Sequence, residues 1–266
     1  MSQDGLPETD AAWADLRALT PARIALGRSG AAPRTRALLA FGVDQALARD
    51  AVHLPLDAAA LGAALLQAGF TVQEAHSAAP DRPTYLMRPD LGRRLDAASA
   101  QTLEAAAGPE IDLLPVLGDG LSALAVQRHA LPVLQALRER AGGLRLGPVV
   151  IAHQARVALG DEIGARLCAR AVVVLIGERP GLSSPDSLGL YLTLAPRVGR
   201  TDAERNCISN VRTPQGLAPA EAARKLLWLL REARRLGATG VALKDRSDTA
   251  LEVSPPPSPI GGPPSG

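Results

Sequence analysis

An apolar run, Val172-Val173-Val174-Leu175-Ile176, breaks into Gly177-Glu178-Arg179-Pro180-Gly181-Leu182-Ser183-Ser184-Pro185-Asp186-Ser187, and a second polar segment, Arg205-Asn206-Cys207-Ile208-Ser209-Asn210, follows soon after. The run has the composition of a buried strand. Open α/β sheets place their ligands beyond the carboxyl ends of such strands, so a carboxylate (Glu178) and a guanidinium (Arg179) at that point suit a polar ligand. The same two residues can also form a loop ion pair of little energetic weight. A second segment, Asp119-Gly120-Leu121-Ser122, reads as a strand end, small residues and a helix start, a geometry in which backbone N–H groups bind phosphate. It matches neither GxGxxG nor GxxxxGK[ST], and a helix cap by Asp119 or Ser122 is the competing reading. His53, His76, His129 and His153 show no His-x-x-x-His spacing, and Cys168 and Cys207 form no Cys-x-x-Cys, so no metal site is expected.

The elements that must position these residues fall into two textures, with the change near residues 105–110. Before it the chain reads mainly helical: residues 34–50 and 57–67 carry alanine and leucine at helical spacing, with Pro33 suited to a first helical position and Asp57 to a cap. Residues 71–75 read as one short strand, and the segment 81–85 is too proline-rich for a helix interior. After Gly108-Pro109 strands and helices alternate. Strands are expected at 111–117, 148–152, 171–176 and 189–194, and helices at 122–139, near 161–170 and at 219–236. Gly237 is the stop of the last helix, and residues 240–243 read as a short final strand. Asp161-Glu162, after Gly160, has the acids that favour a helix start. Alternation of this kind predicts an α/β fold with a mostly parallel, doubly wound, Rossmann-like sheet, preceded by a small helical N-terminal domain. The expected organisation is a flexible terminus over 1–9, a mainly helical domain over 10–107, an α/β domain over 108–245 and a disordered Pro/Gly/Ser-rich tail over 246–266.

Bulk properties narrow the classes. With 266 residues the chain can bury a sizeable core. Its apolar runs fall far short of the roughly 20 residues of a membrane-spanning helix, so no membrane contact is expected. The acidic start, Met1-Ser2-Gln3-Asp4, lacks the order of a secretory signal, which points to the cytoplasm and to both cysteines being thiols. The basic residues are arginines apart from Lys225 and Lys244, but the net charge is only +2 and aromatics are 2% of the chain. Arginines interleaved with acids, as in Arg138-Glu139-Arg140, read as solvated helix faces, so no nucleic-acid partner is expected.

The segments 177–189 and 202–210 resemble one family closely: the small (light) subunit of ethanolamine ammonia-lyase. The resemblance continues through residues 19–28, Arg49-Asp50-Ala51-Val52-His53, Asp119-Gly120-Leu121-Ser122-Ala123 and residues 240–245, in the same order and over about residues 10 to 245. It implies an adenosylcobalamin (coenzyme B12) enzyme in which this subunit covers one side of the cobalamin. A large subunit then supplies the substrate pocket, in a large symmetric hetero-oligomer that deaminates ethanolamine to acetaldehyde and ammonia. The resemblance implies cofactor-binding roles for Val157, Glu178 and Cys207, and no catalytic acid, base or nucleophile in this chain. Their chemistry agrees: corrin amide side chains need acceptors such as the Glu178 carboxylate. Val157 offers apolar contact, and Cys207 offers its size, its thiol or its backbone. The chain departs from the family pattern at Ala155, a place often held by glycine, and around Thr213-Pro214-Gln215-Gly216. The family implies either a bacterial microcompartment for ethanolamine utilisation or the free cytoplasm. The residues alone leave open a free-standing nucleotide-binding module using the Asp119 turn, and a purely structural assembly subunit.

Overall fold

The computed structural model of the protein describes residues 8–20 and 22–248. Eight helices and eight strands occur among them. The helices are α1 (Glu8–Ala18), α2 (Thr35–His53), α3 (Ala58–Gln67), α4 (Arg82–Met87), α5 (Ala97–Ala105), α6 (Ala123–Arg140), α7 (Leu159–Arg166) and α8 (Pro219–Leu236). Strands β1 (Arg28–Ser29) and β2 (Ala32–Pro33) form a minute antiparallel ladder. The other strands are β3 (Val72–His76), β4 (Leu114–Gly118), β5 (Val149–His153), β6 (Ala171–Gly177), β7 (Leu188–Leu194) and β8 (Asn206–Val211), which build one sheet in the order β3-β5-β4-β6-β7-β8. The ends expected to be flexible or disordered lie outside the described residues, except for residues 8–9 and 246–248.

Every residue of β4 and β6 is buried, as their unbroken apolar sequences require of strands covered on both faces. Alternate side chains serve alternate faces. Leu113, Leu117, Val149, Ile151, Val173 and Leu175 meet α3, α6 and α8, while Leu114, Val116, Val150, Val172, Val174 and Ile176 meet α5 and α7. The result is a three-layer helix–sheet–helix body.

The expected parallel, doubly wound pattern holds for β3, β5, β4 and β6, which pair in parallel. It fails for β7 and β8, which add antiparallel, so the sheet is mixed. The loop 178–187 between β6 and β7 contains no helix, and only the 3₁₀ turn Asp202–Glu204 lies between β7 and β8. Without a crossover, neighbouring strands must run antiparallel. β3 comes from the mainly helical segment 10–107 and forms the edge of the sheet beside β5.

Other local expectations divide in the same way. Asp57 caps α3 by accepting from the Ala60 N–H, and α8 runs from Pro219 to a left-handed Gly237, as expected. Pro33 is not a first helical residue; it sits in the β2 ladder, and α2 begins at Thr35. Asp81 caps a short helix, α4, with Pro83 confined to its first turn, where a missing N–H costs nothing. The expected last strand at 240–243 is a 3₁₀ turn (Gly240–Ala242). Asn206 holds it with its side-chain amide, accepting from the Gly240 N–H and donating to the Leu243 carbonyl, in place of a ladder.

Candidate functional site

From β4 the chain passes to α6 on one face of the sheet, and from the adjacent β5 to α7 on the other. Connections that part in this way open a crevice at the carboxyl ends of the strands, the usual ligand position of such sheets. An open cavity of about 390 Å³ lies there, lined by Tyr85, Gly120, Leu121, Arg156, Val157, Ile176, Gly177, Glu178, Arg179 and Tyr191. A larger hollow of about 550 Å³, lined by Phe70, Arg138, Arg145 and others, opens among residues at the opposite, amino ends of β4 and β5. Its position makes it the lesser candidate.

Val157 sits half-buried on the turn between β5 and α7. That turn is held from below by Asp119, whose carboxylate is 4% exposed as a residue and accepts from the backbone N–H groups of Gly120 (2.9 Å), Gln154 (2.9 Å) and Ala155 (2.8 Å). Arg82 Nη1 lies 3.6 Å from Asp119 Oδ2. Burial pushes the Asp119 carboxyl up, against these three N–H bonds and the Arg82 charge. Asp119 is therefore neither a helix cap nor part of a phosphate cradle; Ser122 caps α6 through the Ala125 N–H. Positive φ is taken by Gln154 (51°), not by Ala155. Ala155 thus needs no glycine, and its carbonyl accepts from Tyr85 Oη at 3.0 Å.

The turn after β4 and the turn after β6 touch backbone to backbone, Leu121 N–H donating to the Gly177 carbonyl at 3.0 Å. A Cβ on Gly177 would run into the Ser122 carbonyl, and one on Gly120 into that of Gly177, so both positions need glycine. This contact sets Glu178 at the cavity wall. Its Oε2 accepts from Ser187 Oγ (2.5 Å) and the Asn210 N–H (3.3 Å), and its Oε1 from Ser209 Oγ (2.6 Å). No ion pair joins Glu178 to Arg179 among the described residues, and Arg179 is exposed. A carboxylate offers about four acceptor positions, so Oε1 retains one for a ligand donor.

Cys207 stands on the edge strand β8, exposed, directly across the ladder from Tyr191. Desolvation pushes its thiol up and the Glu178 carboxylate adds to this, while a hydrogen bond with Tyr191 opposes it. Val157 and Glu178 therefore line the same cavity, and Cys207 adjoins it through Tyr191. Cys168 is also a free thiol.

Sequence reasoning missed Tyr85, Arg156 and Tyr191. Tyr85 is fully buried, and desolvation raises its hydroxyl to about 12, against the Arg156 and Arg82 charges. A signal was present: the chain has only two tyrosines, and both line this cavity.

The class defined so far is a mixed α/β protein with an open hollow of mixed polar and apolar lining at its parallel strand ends. The ethanolamine ammonia-lyase light chain (EutC) family model matches residues 10–244. A protein named ethanolamine ammonia-lyase small subunit from Ralstonia nicotianae is 59% identical over 244 residues, covering 90% of each chain. Proteins of the same name from Azotobacter vinelandii (59%, 93% of each chain) and Pseudomonas aeruginosa (58%, 96% of each chain) are similarly close. The chain belongs to the ethanolamine ammonia-lyase light chain family, and is by family a lyase subunit.

Proposed function

We propose that this chain is the small subunit of an adenosylcobalamin-dependent ethanolamine ammonia-lyase and that Val157, Glu178 and Cys207 bind one side of the cobalamin. The observation that carries the reading is the Glu178 carboxylate, fixed by Ser187, Ser209 and Asn210 with acceptor capacity left toward the cavity. The donor set fits the group. Corrin amides present N–H donors to that carboxylate, and Val157, Leu121 and Ile176 give apolar contact beside it. The hollow is open and takes one edge of a ligand, which agrees with a large subunit closing the remainder. When bound, adenosylcobalamin supplies the radical chemistry that converts ethanolamine to acetaldehyde and ammonia. This chain's residues orient the cofactor and exclude water from its edge; none is given a proton-transfer role.

The nucleotide-binding alternative loses support from Asp119. In the turn that would have cradled phosphate, the Gly120 N–H is already taken by the buried Asp119 carboxylate and the Leu121 N–H by the Gly177 carbonyl. The test is co-expression with the large subunit, followed by assay of acetaldehyde formation and cobalamin retention. Glu178→Ala is expected to weaken cobalamin binding by about 10- to 100-fold, the size of a charge-assisted hydrogen bond, with subunit association intact. Unchanged affinity removes Glu178 from the site. Full activity of the large subunit alone overturns the whole reading.

A further inference from the structure

The cavity lining has a further charged residue that no role yet accounts for. Arg156, immediately before Val157, stacks its guanidinium on the Tyr85 ring with Cζ 4.2 Å from the centroid, and Nη2 donates to the Tyr85 carbonyl at 3.2 Å. Its stem is packed, since a Cβ on Gly92 would come within 2.9 Å of Arg156 Cγ. The rest of the fork is idle among the described residues: Nε is buried without an acceptor, Nη1 has no protein partner, and no carboxylate lies within ion-pair distance. Arg82, the other arginine on the Tyr85 ring, also has one buried unpaired nitrogen, Nη2, but unlike Arg156 it faces a carboxylate, Asp119, and its Nε donates to the Val52 carbonyl at 2.8 Å.

An arginine held rigid in a cavity wall with donors unspent lacks an acceptor, and leaving buried donors unpaired is unfavourable. We propose that Arg156 is a ligand-binding residue that donates to an oxygen acceptor of the molecule bound in this cavity, opposite in sign to Glu178. Glu178 receives the ligand's N–H groups and Arg156 takes its oxygens, so together they read a ligand edge that presents both. On the functional reading above, on which this inference rests, the acceptor is an oxygen of the cobalamin: either an amide carbonyl on the corrin rim or the phosphate of its nucleotide arm. Both are oxygen acceptors suited to a planar guanidinium fork.

The experiment uses the complex of this chain with its large subunit, in wild-type, Arg156→Met and Arg156→Lys forms. Each is titrated spectrophotometrically with cyanocobalamin and with dicyanocobinamide, which lacks the phosphate and nucleotide. Thermal midpoints of the cofactor-free complexes are recorded alongside. The expected result for Arg156→Met is a Kd raised about 10- to 100-fold at an unchanged midpoint, with Arg156→Lys in between because it keeps the charge but not the fork. Equal losses for both ligands identify an amide carbonyl, and a loss confined to cobalamin identifies the phosphate. Equal binding by wild type and Arg156→Met overturns the inference alone. It is also overturned by an affinity loss that follows a fall in midpoint and is not recovered by lysine, since Arg156 would then be only a prop for Tyr85. A wild-type complex that binds neither ligand takes the functional reading down with it.

Discussion

At the scale of single residues, the site holds its side chains in position before any ligand arrives. Glu178 is fixed in place by two hydroxyl donors and one backbone N–H. Cys207 is a group whose titration its surroundings move. Desolvation comes first and the Glu178 charge adds to it, so its thiol titrates above the ordinary range and stays neutral near pH 7. The thiolate is the reactive form, so alkylation of Cys207 in this chain should be several-fold slower at pH 7.5 than that of an unstructured cysteine peptide. Its rate should still climb with pH beyond about 8.5, where a free cysteine begins to level off. Peptide-resolved mass spectrometry of iodoacetamide labelling measures this; a rate equal to the free peptide's, levelling at the same pH, contradicts the environment described here. Glu204 illustrates a surface group with a defined pH signature. Its carboxylate accepts from the Thr201 N–H at 2.8 Å and pairs with Arg200, which brings it down to about 2 from an ordinary 4.5. A lowered carboxyl stabilises the fold above its unfolded pKa, and that stability fades as pH falls through the folded value. Wild type should therefore melt above Glu204→Gln at pH 7, and the gap should close between about pH 4.5 and pH 2. A gap independent of pH would assign the effect to packing.

At the scale of elements, the turn between β5 and α7 has almost no regular structure of its own and depends on Asp119 from the end of β4. Asp119→Asn keeps the shape but replaces one acceptor oxygen with a donor that faces backbone N–H groups. The expected cost is about 1–3 kcal/mol of stability by denaturant unfolding, together with weaker cobalamin binding by the complex. If the residue acts through the turn, the affinity loss should shrink when Val157 is already alanine, because coupled neighbours are not additive. Additive losses would separate Asp119 from Val157. This turn also marks what could be read in the sequence. The buried strands 114–118 and 171–177, the capped helices α3, α6 and α8, and the positions of Glu178 and Val157 beyond strand ends were all legible, because periodicity and caps are local. The antiparallel β8 went unread because its polar sequence, Asn206–Val211, offers no apolar run to mark it as a strand. Asp119 was not legible: its partners lie 35 and 36 residues away, and an aspartate before a helix start has an equally good local explanation as a cap. The same holds for Arg156 and Tyr85, 71 residues apart, which only the folded chain brings together.

At the scale of the whole molecule, the parallel half of the sheet carries Val157 and Glu178, while Cys207, Ser209 and Asn210 arrive on the antiparallel addition. The site is therefore only as well formed as the attachment of β8 to the rest. One attachment is a charge pair at that strand's start: Arg205, just before β8, bonds Asp161 in the first turn of α7, with both side chains 2% exposed. Arg205 also reaches the Arg200 carbonyl at 3.1 Å and Asp202 at 3.2 Å, so it ties β8, the 3₁₀ turn and α7 into one unit. Such a pair does little for net stability relative to apolar residues of similar volume, yet breaking it strands a buried charge. Asp161→Ala should accordingly cost about 3–5 kcal/mol in urea unfolding at neutral pH, whereas the double replacement Asp161→Leu with Arg205→Met should recover most of that loss. The informative comparison is the cobalamin affinity of the double variant in the complex. If the pair serves to fix where β8 sits, affinity stays depressed although stability has returned, because an apolar contact tolerates sliding that a directional hydrogen-bonded pair does not. Recovery of stability and affinity together would instead mean that burial alone places β8, and the pair would lose its role in specifying the site.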